Sequence, residues 1–195
     1  MHSKQHGKIY GFHFGKHLVF IDSFQFIAFS LEKLATNLPE DAFKYTKQVF
    51  QNEKLQRMKQ KGVYSYDYKN RVERFDDQQL PSKDKFYSLL TDKGISDEQY
   101  QLAVKVWNTF QIRTMGEYHN LNLKSDILLL AGVFENFRKT CLQYYTLDPC
   151  QNFTSPGLSW CAMLKMTNVK LEFMTDVDMF IEKGMHGGIS YIANI

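Results

Sequence analysis

One carboxylate, Asp126, stands at the head of the most apolar stretch in the chain, Ile127 onward. From there the apolar positions Leu130, Ala131, Phe134, Phe137, Cys141 and Tyr145 recur close to a helical period, while Glu135, Arg138, Lys139 and Gln143 fall elsewhere. The pattern predicts a helix beginning at Asp126 with Ser125 as its cap. An acid in a first turn is favoured by the helix dipole, so the plain reading of Asp126 is a helix-start residue. A second chemistry-bearing pattern lies upstream. Residues 44–74 hold nine Lys/Arg against Glu53, Asp67 and Glu73, a local charge of +6, with Tyr64, Tyr66 and Tyr68 interleaved. Cations for phosphates and rings for bases are what a single-strand binder offers; the same stretch also reads as a solvated helix face followed by a loop. Residues 75–100 reverse the sign, with six acids against Lys83, Lys85 and Lys93.

Other groupings do less. His13 and His17 flank a Gly15-Lys16 turn, and two ligands do not make a zinc site. Asp176 and Asp178 resemble a metal pair, yet acids in the first turn of a helix explain them. Cys141, Cys150 and Cys161 are odd in number and form no Cys-x-x-Cys pair, which argues against a disulfide framework or zinc ribbon and suits a reducing compartment. No signal peptide or membrane span is expected, and Asn152-Phe153-Thr154 reads as an unused sequon. The net charge of +3 is mild, and 44% hydrophobic with 15% aromatic content implies a folded core.

The elements that must position these residues follow from local signals. Short apolar segments at 8–14 and 17–21 around Gly15-Lys16 predict a hairpin ending at Asp22-Ser23. Residues 30–37 predict a short helix stopped before Pro39, and residues 41–59 one basic amphipathic helix. Residues 62–81 predict a long connector, the part expected to move most. Ser96 with Gln99 predicts a capping box and Ile95 with Tyr100 a staple, with Ala103, Val104, Trp107 and Phe110 as the buried stripe. Thr154-Ser-Pro-Gly opens a helix over residues 158–166, and Thr175 with Asp178 caps a last one ending at Gly184. No repeats or low-complexity tracts occur. Helices plus one small sheet near the N-terminus indicate an α+β or α/β fold.

Six blocks stand in order along the chain. They are Phe-Ile-Asp-Ser-Phe-Gln-Phe at 20–26, Ser-Leu-Glu-Lys-Leu at 30–34, Lys-Gly-Val-Tyr-Ser-Tyr-Asp-Tyr at 61–68, the Tyr118 to Arg138 segment, Tyr-Thr-Leu-Asp-Pro with Thr-Ser-Pro-Gly-Leu-Ser-Trp at 145–160, and Phe-Ile-Glu-Lys-Gly-Met-His-Gly-Gly-Ile-Ser at 180–190. In this order and spacing the chain resembles protein-primed family B DNA polymerases of the Maverick/Polinton, viral and organellar type, over nearly its whole length. The resemblance implies part of an RNase H-like 3′ to 5′ exonuclease domain over residues 1–145, connecting helices over 146–183 and the start of the polymerase domain at 184–195. The first two exonuclease motifs would precede residue 1 and the palm aspartates would follow residue 195.

The resemblance also implies roles. Asp126 matches the acid of the third exonuclease motif, a ligand to Mg²⁺ or Mn²⁺ in a two-metal site that needs carboxylates from three motifs. Asn122 stands where the family carries a tyrosine, and an amide is several ångströms shorter than a phenol, so proofreading by this chain is not expected. Lys61 matches the lysine that neutralises phosphate charge near the scissile bond, with Lys59 and Tyr64 beside it. Ser30 and Leu31 match the grip on the single-stranded primer end. His186, Gly187 and Gly188 match the junction that contacts template between the two active sites, with Met185 replacing its tyrosine. The function so implied is DNA-directed DNA polymerase, a nucleotidyltransferase acting in DNA replication from a terminal protein primer. The chain alone is expected to be inactive. The alternative is a non-catalytic DNA-binding remnant or domesticated transposon-derived module. An intracellular setting, the nucleus included, is expected, with DNA as partner and no membrane.

Overall fold

The computed structural model describes residues 11–16, 18–171 and 177–184. Two strands, β1 (Gly11–Phe14) and β2 (Leu18–Ile21), pair antiparallel with Phe12 opposite Phe20 and Phe14 opposite Leu18. Gly15 turns the hairpin at φ +66°, a left-handed conformation that suits glycine. The helices are α1 (Leu31–Thr36), α2 (Lys44–Val49), α3 (Asn52–Met58), α4 (Asp97–Thr109), α5 (Met115–Tyr145), α6 (Ser155–Thr167) and α7 (Val177–Gly184). The described residues are thus helix-rich with one small hairpin, an α+β arrangement. Among them no helix is long and apolar enough to cross a membrane.

The helix predicted to begin at Asp126 begins at Met115. Thr114 is its cap, the hydroxyl accepting from Glu117 N at 3.2 Å, while Glu117 Oε2 accepts from Arg113 N at 2.8 Å. Ser125 is therefore no cap: it is 1% exposed in mid-helix, and Asp126 receives nothing from the helix dipole. The face expected to be buried is also rotated. Ile127 and Leu130 are exposed, and the residues that α5 buries are Met115, Tyr118, Ser125, Leu129, Gly132, Val133 and Cys141. A 31-residue helix spans about 46 Å at the usual rise, enough to serve three clusters in turn. Met115 and Tyr118 join Phe50, Met58, Phe86, Ala103, Val106 and Ile112; Leu129 joins Ala35 and Phe43; Cys141 joins Phe26 and Leu158.

The basic helix expected over residues 41–59 is three pieces. A 3₁₀ turn at Glu40–Phe43 leads into α2, the chain extends at Phe50, and α3 starts anew. The break lets each piece serve a different neighbour. Thr46 is buried in α2, which packs on α5, and Phe50 turns to meet Phe110 edge-on at 5.7 Å. Ser30 caps α1, accepting from Lys33 N, and the Ser96–Gln99 capping box forms as the sequence indicates. In α4 the fully buried residues are Ala103 and Val106, with Trp107 and Phe110 half-buried. Thr154 caps α6.

After α5 the chain is locked by one ion pair. Arg138 Nε donates to both oxygens of Asp148 at 3.0 Å, Nη2 donates to Oδ2 at 2.6 Å, and Asp148 also accepts from Cys150 N. The guanidinium holds the Asp148 carboxyl down at about 2. A carboxyl lowered on folding stabilises the fold above its ordinary pKa and loses that effect as the pH drops through the folded value. Thermal melts should therefore show about 1–2 kcal/mol of stability vanishing between about pH 4 and pH 2. Asp148→Asn should lose a similar amount at neutral pH and show a flatter profile in that window.

Candidate functional site

Asn122 and Asp126 sit one turn apart on α5 and so share a face. Across that face runs the segment at 61–65, and three contacts pin it. Gly62 lies so close to Asn122 that a Cβ there would overlap the amide Oδ1, which gives the glycine its reason. Val63 O accepts from the Tyr118 hydroxyl at 2.6 Å. Tyr64 Oη and His119 Nδ1 share a hydrogen bond of 2.6 Å. The result is that Lys61, distant in sequence, lies near enough for its charge to act on Asp126. Burial raises the Asp126 carboxyl above the usual range, and the Lys61 ammonium works against that rise. Asn122 turns its Nδ2 back onto Tyr118 O at 2.8 Å, an attachment to its own helix.

Three of the sequence-identified residues, Lys61, Asn122 and Asp126, are thus brought together. They do not make a cage for two dications. Among the described residues no group of three His, Cys, Asp or Glu side chains gathers at all, and Asp126 is one carboxylate facing a lysine. Among the described residues the Mg²⁺ or Mn²⁺ of the two-metal scheme has no matching set of ligands beside Asp126.

The basic band is more neutral than its composition indicates. Lys59 is tied to Glu40 at 2.7 Å and lies over the Phe43 ring, Arg57 pairs with Glu53 at 3.2 Å, and Lys47 with Glu40 at 3.3 Å. Lys54 and Lys124 lie over the Phe110 and Phe50 rings at 5.3 and 5.9 Å. Tyr64 is not available to a base: its ring stacks on Tyr118 and its hydroxyl is taken by His119, because the loop is docked rather than free. Tyr66, 61% exposed, is the tyrosine that faces outward. Ser30 uses its hydroxyl as a helix cap, and Leu31 packs on the Ala35–Phe43–Leu129 cluster. His186, Gly187 and Gly188, with Met185, Thr175, Asp176 and His17, lie outside the described residues.

Sequence reasoning passed over Tyr118, His119, Lys69 and Phe75, which build the wall beside this site. The Phe75 and His119 rings meet edge-on at 5.2 Å, and Lys69 Nζ sits 4.3 Å from the Phe75 ring centre and 4.5 Å from that of Tyr64. Thr114-x-x-Glu117, a capping pattern, could have placed Tyr118 and His119 near the start of a helix, whereas Lys69 and Phe75 carry no such local signal. No family model matches the chain, and no curated protein or solved structure matches it.

Proposed function

We propose that this chain is part of a DNA-directed, protein-primed family B DNA polymerase, and that the described residues handle a single-stranded DNA end without cutting it. The observation that supports this most is the convergence of Lys61, Asn122 and Asp126 from two distant blocks onto one face of α5. Lys61 supplies a point charge for a phosphate, and the exposed Tyr66 ring supplies a stacking surface on the same connector. Asp126, with its proton affinity raised by burial and lowered again by the nearby Lys61 charge, tunes the electrostatics of this face. The RNase H-like fold, the terminal protein primer and the polymerase activity of a longer protein are part of the same proposal. The non-catalytic module is the second reading, favoured by Asn122, whose amide is engaged by its own helix.

The test pairs an activity assay with a binding assay. Incubation with a 3′-mismatched primer-template, Mg²⁺ or Mn²⁺ and nucleotides should leave the primer unchanged. Binding to a fluorescent single strand should weaken with salt, with about 0.7 added to the log–log slope per phosphate contact. Lys61→Glu should weaken binding, whereas Lys59→Glu, which removes a cation already held by Glu40, should weaken it less. Shortening of the primer that disappears in Asp126→Ala would overturn the non-cutting reading. Absence of salt-sensitive binding would overturn the DNA reading.

A further inference from the structure

Where the connector passes the 3₁₀ turn at Lys83–Phe86, the two segments border a cavity of about 290 Å³ that lies apart from Lys61 and Asp126. Leu89 N donates to Asp67 Oδ2 at 2.8 Å and ties the segments together. Two tyrosines line the cavity, and each is held by its hydroxyl. Tyr68 Oη donates to Asp77 Oδ2 at 2.7 Å, and Tyr87 Oη donates to Asp92. A ring held at its hydroxyl has a fixed plane and keeps its faces for contact. Arg74 covers one face of Tyr68, its guanidinium carbon 4.6 Å from the ring centre, while Nη1 donates to the hydroxyl at 3.0 Å. Tyr87 is 42% exposed. The charges of the lining balance, with Arg74 and Lys85 against Asp67 and Asp84, and Lys85 Nζ lies 3.4 Å from Asp84 Oδ2. The exposed Asn70 adds an amide that can both donate and accept.

We propose that this cavity takes one unstacked nucleobase of a single strand, a subsite that deepens the DNA-handling reading and rests on it. The lining selects for this class of ligand. Asp67 and Asp84 repel a bare phosphate, and Arg74 and Lys85 repel a free cation. A flat, neutral heterocycle edged with donors and acceptors meets neither objection. Its face stacks on a tyrosine, and its edge pairs with the Asn70 amide, the guanidinium and a carboxylate. The volume is at the small end for ligand cavities, enough for a base and too little for a folded strand. Tyr66, on the same connector and 61% exposed, offers a stacking surface to an adjoining base.

Deoxyadenosine, a base and sugar without phosphate, is the probe, its binding to the whole chain followed by saturation-transfer NMR. Tyr87→Ala should weaken the binding about tenfold, and Tyr87→Phe, which keeps the ring, should hold it within about twofold. Asn70→Ala changes an exposed position, leaves the fold intact, and should weaken binding about threefold. A single-stranded oligonucleotide should displace the nucleoside, whereas an abasic strand and deoxyribose 5-phosphate should not. The proposal is overturned if deoxyadenosine fails to bind, if Tyr87→Ala and Asn70→Ala both bind it as the parent does, if the oligonucleotide does not displace it, or if deoxyribose 5-phosphate does. In that event the abasic strand separates the two claims: salt-sensitive binding of it leaves the DNA-handling reading standing, and its absence removes both.

Discussion

Replacing Tyr118 with alanine should cost the fold about 3–5 kcal/mol, the largest single-residue effect expected in this chain. The ring is 1% exposed, lies between Trp107 and Tyr64, and belongs to the largest cluster. Its hydroxyl is also the bond that holds the Val63 carbonyl, so the truncation leaves both a cavity and an unpaired acceptor. Denaturant melts should show the midpoint falling, and the loop at 61–65 should lose its fixed place on α5. Tyr118→Phe separates the two contributions. It keeps the packing and should cost about 1–2 kcal/mol, the share of the hydrogen bond. Single-strand binding in that variant should weaken as well, because one of the three contacts that hold the 61–65 segment beside α5 is lost. A Tyr118→Phe chain as stable as the parent would show that Val63 finds another donor.

Gly132→Ala should destabilise the chain by about 1–2 kcal/mol, against the helix-propensity trend. In a free helix the change would gain about 1 kcal/mol. Here the new Cβ would stand 2.7 Å from Ala42 O, a backbone atom of the 3₁₀ turn before α2, with Leu38 Cδ1 at 3.9 Å behind it. A carbonyl cannot rotate away as a side chain can, so α5 and the Glu40–Phe43 turn must separate, and the overpacking, at about 2–3 kcal/mol, outweighs the propensity gain of about 1 kcal/mol. Gly94→Ala, where nothing lies within 4 Å, should be neutral within about 0.5 kcal/mol and serves as the control. Urea denaturation of the two variants beside the parent distinguishes them directly.

Local signals predicted the small elements well. The hairpin at Gly15, the short helix before Pro39, the Ser96–Gln99 box and the Thr154 start all depend on residues a few positions apart, and each is found where its pattern stands. What failed was the extent of α5. Ser125 reads as a helix cap, but it is buried in mid-helix, and the true start lies eleven residues earlier, where Gly116 has the Phe75 carbonyl 3.3 Å from where a Cβ would be. That contact joins partners far apart along the chain. The same holds for the basic band. Lysines and arginines were countable, and so was the i,i+4 pair of Glu53 with Arg57, but the pairing of Lys47 and Lys59 with Glu40 was not, and that pairing decides how much positive charge reaches a ligand. The meeting of Lys61 with Asp126 required the fold of the connector, which carries almost no periodicity of its own.

The three clusters strung along α5 bear on how the molecule comes apart. Tyr118 and Cys141 are roughly 35 Å apart along the axis at 1.5 Å per residue, too far for one set of packed side chains to sense the other. The Phe26–Cys141–Leu158 group can therefore open, exposing the amides of the last turns of α5, while the first turns stay closed. Hydrogen exchange in such a chain is graded from one end of a single helix to the other, and the loop that carries Lys61 is moored at the slow end.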